Sequence, residues 1–219
     1  MTNRLIKGFI ERFRPTAYEG EKAVMPELVS YGQKPEYFII SCADSRSDPG
    51  VIFDAQSGEF FGFKAIGAIV RPYKTGTALA ASLQFAINYL KVSKIVLLGH
   101  TQCGAIKALH DDIEDPEIAS FIDVAHDAMD KARKIAAQSG ATESEEDLLR
   151  LAEQQVLLAS AENLKSYPPV RDALNEGRVT IENWIFDMEH GHILKHDPKS
   201  ENFIVADADP KIVSKKSCC

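Results

Sequence analysis

The sequence predicts an α/β fold, with a mainly parallel central sheet flanked by helices. Two apolar runs, Tyr37 to Ser41 and Ile95 to Leu98, read as strands, and each ends in a turn rich in small and polar residues. Between them lie a third strand-like run over residues 60–66 and an amphipathic helix over 77–90, with Leu79, Leu83, Ala86, Ile87 and Leu90 on one side. Strand, helix, strand in that order implies parallel strands joined by a right-handed crossover.

Taken in order, Leu5, Ile6, Phe9, Ile10 and Phe13 fall at helical spacing, which predicts an amphipathic helix stopping before Pro15. A second short helix starts at Pro26 and runs to about Tyr31, ahead of Gly32. After the first strand, Ser47, Asp48, Pro49 and Gly50 are turn chemistry, followed by a short apolar segment over 51–53. Residues 67–76 form a loop, and Thr77 caps the crossover helix. A helix over 118–137 follows, broken near Gly140, and residues 142–145 resemble a capping box that opens a long helix to about Tyr167. Pro168 and Pro169 end it. Residues 179–186 and 191–195 read as a closing hairpin, and 203–205 as a last strand. The expected organisation is a single domain over residues 1–210, beginning with a helical arm of about residues 1–34, and a flexible tail over 211–219.

With 45% apolar and 26% charged residues in 219, the chain has the composition of a soluble globular domain. A net charge of −7 argues against a general nucleic-acid surface, which needs a basic face. Arg4, Lys7, Glu11 and Arg12 interrupt the first apolar stretch, so it does not read as a signal peptide, and no run is long enough to span a bilayer. The expectation is a cytoplasmic protein with no nucleic-acid or membrane partner. Of the four cysteines, two lie beside His, Asp and Arg and two close the chain, unlike a disulfide framework.

The chemistry gathers at strand ends. His100 and Cys103 follow the run 95–98, and Cys42 closes the run 37–41. In open parallel sheets ligands bind beyond the carboxyl ends of strands, so these three side chains can converge. Two thiolates and an imidazole favour zinc over magnesium or calcium, and three protein ligands leave a fourth position open, as catalytic sites do. Asp44 and Arg46 follow a ligand directly. In an extended segment they share a side, so the guanidinium can hold the carboxylate ionised and aim it at solvent in the fourth position. His190, His192 and His196 are spread by the hairpin and read as a solvated edge.

Cys42-Ala43-Asp44-Ser45-Arg46 and Gly99-His100-Thr101-Gln102-Cys103-Gly104 resemble the two signature motifs of the β-class carbonic anhydrases. Gly32-Gln33, Ser57-Gly58-Glu59, Lys91-Val92, residues 167–171 and Trp184-Ile185-Phe186-Asp187 resemble further landmarks, so the likeness spans roughly 5–207. The resemblance implies a zinc lyase that interconverts carbon dioxide and bicarbonate, with one Zn2+ per subunit on Cys42, His100 and Cys103 and Asp44 and Arg46 as an orienting dyad. It implies N-terminal helices that embrace a neighbour in a homodimer or homotetramer. For substrate it implies Gln33 from the partner subunit, an apolar wall of Phe61 and Ile66, and the backbone N–H of Gly104.

Some positions depart from the family pattern. Lys64-Ala65-Ile66-Gly67 stands where Arg-Asn-x-Gly is usual, Phe85 stands for a tyrosine, and Gln155 is read in place of a glutamate in the long helix. These swaps make the surroundings more apolar. They raise two alternatives, hydrolysis of carbonyl sulfide or carbon disulfide, and a zinc-stabilised binding or regulatory oligomer without catalysis. Ile39 and Lys64 stand where some members place the tryptophan and arginine of an inhibitory bicarbonate site, so that site is expected to be absent.

Overall fold

Strand β1 (Tyr37–Ser41) lies between β2 (Phe60–Lys64) and β3 (Lys94–His100), parallel to both, and β4 (Thr180–Asp187) pairs parallel with β3. Two antiparallel strands, β5 (His192–Asp197) and β6 (Asn202–Val205), extend the sheet to the order β2-β1-β3-β4-β5-β6. The computed structural model describes residues 3–139 and 144–206. Thr142, expected to open the long helix, and the tail from Lys211 with Cys218 and Cys219 lie outside them.

Unbroken apolar runs in β1 and β3 reflect burial on both faces, as expected of a parallel sheet. Phe38, Ile40, Ile95 and Leu97 point to one face, where they pack with α4 (Ala78–Phe85), α8 (Glu145–Leu164) and α9 (Pro168–Asn175). Ile39, Val96 and Leu98 alternate to the other, against Ile52 of α3 (Pro49–Ile52), Phe53 and Trp184. A further cluster joins Ile106 and Leu109 of α5 (Gly104–His110), Ile122 of α6 (Pro116–Ile122), Met129 of α7 (His126–Ser139) and Val156 of α8. Cys42 and Cys103 belong to this cluster. The site therefore sits on packed, rigid elements.

The local signals explain most element ends. The Thr77 hydroxyl accepts from the N–H of Ala80 and starts α4. That helix continues as a wider π turn, Ala86–Leu90, until Lys91 enters the left-handed region at φ 61°. The helix expected over 118–137 divides into α6 and α7 across a tight turn, Asp123–Ala125, after a start at Pro116 capped by Asp115. The capping box of α8 is formed by Ser144 and Asp147, two residues beyond the pair read from sequence.

The arm departs from expectation. Its helix, α1 (Arg4–Gly8), runs on through π turns at Phe9–Phe13 and Pro15–Glu19 and does not stop before Pro15. Wide turns give the proline ring room that an α turn denies it, and the Thr16 hydroxyl takes up the carbonyls of Arg12 and Phe13. A second helix, α2 (Met25–Tyr31), follows and ends at Gly32. No side chain of Arg4–Phe13 is buried: Leu5 is 81% exposed and Phe9 46%.

Candidate metal centre

Cys42 follows β1 directly, His100 ends β3, and Cys103 is the N-cap of α5. Ser41 pairs with Leu98, which sets Cys42 level with Gly99 and one step from His100. The strand register thus brings together residues 58 apart in sequence. One ligand atom from each of Cys42, His100 and Cys103 lies within 4.8 Å of the others, and all three side chains are buried.

Each donor is prepared for a soft cation. His100 donates from Nδ1 to the Thr101 carbonyl at 2.9 Å, which fixes the tautomer and leaves buried Nε2 without a hydrogen-bond partner. Thr101 is itself held, its N–H on the Phe186 carbonyl and its hydroxyl accepting from the N–H of Met188. Cys42 Sγ accepts from the N–H of Gly67 at 3.3 Å and of Asp44 at 3.5 Å. The Cys103 thiol donates to Cys42 and, against the opposing effect of burial, drives the Cys42 pKa well below the ordinary thiol range. Cys103 moves the opposite way, raised by that shared proton and by burial. Burial works against the imidazolium of His100, and the Cys42 sulfur, the Thr101 carbonyl and the Asp44 carboxylate outweigh it, so its pKa is raised. Two buried sulfurs sharing one proton beside an unpartnered imidazole nitrogen fit zinc, which prefers this donor set.

Asp44 stands at the open side. Its Oδ2 lies 4.0 Å from His100 Nε2. Arg46 engages both carboxylate oxygens, with Nη2 2.7 Å from Oδ2, Nε 3.1 Å from Oδ1, and its backbone N–H 2.8 Å from Oδ1. These bonds depress the Asp44 pKa to about 2. The pair is formed across a short turn, Ser45–Ser47, with Asp44 as its cap, so the extended segment expected from sequence is absent although the pairing it implied is present.

The remaining expected residues divide into two groups. Ile66 packs against the cluster that holds Cys42 and Cys103, and Gly104 opens α5 with an N–H that has no intrahelical partner. Phe61 and Phe85 lie elsewhere in this subunit. Their ring centroids are 5.9 Å apart, beside Phe38 and an exposed Tyr89, toward the amino ends of β1 and β2. Gln33 precedes β1 at that same end, one strand length from Cys42.

Two residues at the centre escaped the sequence reading. Glu153 of α8 is buried, and its Oε1 accepts from the Cys103 N–H at 2.9 Å while burial pushes its carboxyl up to about 7. Gln155, read from sequence in place of a glutamate, lines a different cavity with Asn183, and the carboxyl that meets Cys103 comes from Glu153 two residues earlier. The other is Gly67, whose φ of 65° turns its N–H onto Cys42 Sγ. Lys64, at the end of β2, pairs with Asp48.

A carbonic anhydrase family model matches residues 37–193. A carbonic anhydrase of Synechocystis sp. is 27% identical over 92% of this chain and 73% of its own length. Carbonic anhydrase 1 of Escherichia coli O157:H7 is 30% identical over 95% of this chain and 94% of its own. Among solved structures, the β-carbonic anhydrase CcaA superposes with a TM-score of 0.76 at 25% identity, covering 91% of this chain and 95% of that one. A tetrameric β-carbonic anhydrase of Sordaria macrospora gives 0.68 at 26% identity, covering 87% and 91%. The matched span contains all three converging ligands and the four parallel strands that place them, and the chain belongs to the β-class carbonic anhydrase family.

Proposed function

We propose that this chain carries out the reversible hydration of carbon dioxide to bicarbonate and a proton, as a zinc lyase with Cys42, His100 and Cys103 holding one Zn2+ per subunit. The observation that carries the reading is the Asp44 carboxylate, pinned through both oxygens by Arg46 and set 4.0 Å from the free nitrogen of His100. A purely structural site has no use for that dyad. Bound zinc supplies the Lewis acidity that makes a water nucleophilic near neutral pH. With a pKa of about 2, Asp44 stays an acceptor at any working pH. It is too weak a base to carry the proton away, so its part is to hold the hydrogen of the attacking oxygen and fix the lone pair that attacks. Arg46 keeps Asp44 off the metal position by engaging both of its oxygens.

Ile66 and the Gly104 N–H supply an apolar wall and a single donor beside the ligands, which suits a small linear substrate. Gln33, Phe61 and Phe85 sit at the far end of β1 and β2 and serve a site only in a second subunit. The unburied arm supports such an assembly, a homodimer or homotetramer, since Leu5, Ile6, Phe9 and Ile10 find no cover in their own chain among the described residues. Among the described residues no helix is long and apolar enough to cross a membrane.

The alternatives of carbonyl sulfide or carbon disulfide hydrolysis and of a non-catalytic oligomer rested on lost polar groups. Glu153 sets a carboxyl on the Cys103 N–H, Lys64 carries a charge at the end of β2, and the dyad is intact, all of which favour hydration of carbon dioxide. Stopped-flow hydration by the zinc-loaded protein tests the reading, with Asp44→Asn expected to retain zinc and lose turnover. A wild-type rate no higher than buffer, a fully active Asp44→Asn, or a higher specificity constant for carbonyl sulfide overturns it.

A further inference from the structure

Asp187 is buried at the end of β4, outside the ligand set and the Asp44–Arg46 dyad. A charged side chain is costly to bury unless it is well partnered, and this one is. Its Oδ1 accepts from the N–H of Glu189 at 3.1 Å and of His190 at 3.2 Å, its Oδ2 lies 2.9 Å from His190 Nδ1, and its carbonyl accepts from the N–H of Gly191 at 2.8 Å. One residue thereby folds the turn from β4 into β5. Met188 carries the amide of that turn which Asp187 does not take, and it donates to the Thr101 hydroxyl, just past the end of β3, at 2.9 Å.

Thr101 is where that contact matters. Its carbonyl accepts from His100 Nδ1 at 2.9 Å, and the peptide carrying that carbonyl leads into Gln102, which stands at φ 57°. The left-handed region is unfavourable for an L-residue. Turning the Thr101–Gln102 peptide over would return Gln102 to negative φ and take the carbonyl away from the imidazole. Thr101 itself is held by two contacts, its N–H on the Phe186 carbonyl at 3.0 Å and its hydroxyl on the Met188 N–H. The first continues the β3–β4 ladder, and the second exists only while the turn keeps its shape.

We propose that Asp187 is a positioning residue for the metal centre: by folding the β4–β5 turn it sets the Met188 N–H on Thr101, and through Thr101 it fixes the carbonyl that orients the His100 imidazole. Groups that hold the second nitrogen of a metal-bound histidine typically contribute about 10–100-fold to metal affinity. Asp187 acts from further back, so the lower figure, about tenfold, is expected. Resting on the assignment of zinc to Cys42, His100 and Cys103, this role is read through metal affinity and not through turnover alone.

Full-length zinc-loaded protein is titrated with a chelator of known zinc affinity at one fixed pH, and the cobalt(II)-substituted protein gives a visible spectrum that reports ligand geometry. Asp187→Ala and Thr101→Val should each weaken zinc binding about tenfold and shift the cobalt(II) bands in the same direction. Asp187→Asn keeps an oxygen for the N–H groups of Glu189 and His190, and Thr101→Ser keeps the hydroxyl, so both should stay within about twofold of wild type. Asp187→Ala combined with Thr101→Val should bind zinc no more weakly than the single variants, because both cut one chain of contacts, whereas independent effects would multiply to about a hundredfold. If Asp187→Ala does not fold, the comparison of Thr101→Val with Thr101→Ser decides. Wild-type zinc affinity and cobalt(II) spectrum in Asp187→Ala overturn the proposal, as does a multiplied loss in the double variant or equal affinity in Thr101→Val and Thr101→Ser. A wild type that binds no zinc overturns the zinc assignment and the proposal with it.

Discussion

Gly67→Ala should destabilise this protein while the chemically identical change at Gly104 should not. Gly67 has φ 65°, and a Cβ there would lie 3.1 Å from the Ile69 side chain and 3.3 Å from Ala105 Cβ. The left-handed backbone alone costs an L-residue about 1–2 kcal/mol. Pushing Ile69 aside in a packed cluster adds about 1–3 kcal/mol. The sum, about 2–5 kcal/mol, is a large share of a typical domain stability of about 5–15 kcal/mol. It also falls on the N–H that donates to Cys42, so zinc should be lost at lower chelator concentration in the variant. At Gly104 a Cβ meets nothing within 4 Å and φ is not in the left-handed region. Alanine there should leave stability unchanged or raise it by up to about 1 kcal/mol through the unfolded state. Urea unfolding of the zinc-loaded proteins at one fixed protein concentration measures both, since an oligomer's midpoint moves with concentration. A loss below about 1 kcal/mol for Gly67→Ala, or an equal loss in both variants, would refute the steric reasoning.

Three further outcomes are expected. Asn183 is buried in β4 with Oδ1 unpartnered, so Asn183→Val should raise stability by about 1 kcal/mol, about 2–4 °C in melting temperature; a lower melting point would show that the amide is satisfied. Ser144→Ala removes one half of the α8 capping box and should cost about 1 kcal/mol in the same unfolding assay, whereas Ser144→Asp should cost little. For Asp187, burial opposes ionisation, yet the His190 side chain and the N–H groups of His190 and Glu189 outweigh it and lower the pKa. A lowered carboxylate pKa contributes stability above about 3.8 and loses it as pH falls through the folded value, so the advantage of wild type over His190→Ala should be complete above about pH 5 and vanish in strong acid. An advantage that persists unchanged to pH 2 would contradict it.

Glu153 and Gln155 show where sequence reading reached its limit. Residues two apart on a helix point about 200° apart around its axis, so one of the pair faces the catalytic centre and the other turns away. Neither identity nor spacing says which, because the rotation of α8 is set by Val156 and Leu157 packing into two different clusters. Gly67 is legible as loop chemistry and as the glycine of a family-like segment, and its left-handed backbone is not, since that need arises from where Cys42 and Ala105 stand. Pro15 marked a helix stop by local sterics, and the arm overrode it by widening its turns.

By itself the sequence determined the three candidate ligand residues, the Asp44–Arg46 pair and the parallel sheet, because these depend on local order: soft side chains just past apolar runs, and Arg46 two residues from Asp44. The tertiary structure decided what depends on distance through space. Strand register sets Cys42 one step from His100, helix rotation chooses Glu153, and strand length separates Gln33, Phe61 and Phe85 from the centre of their own subunit.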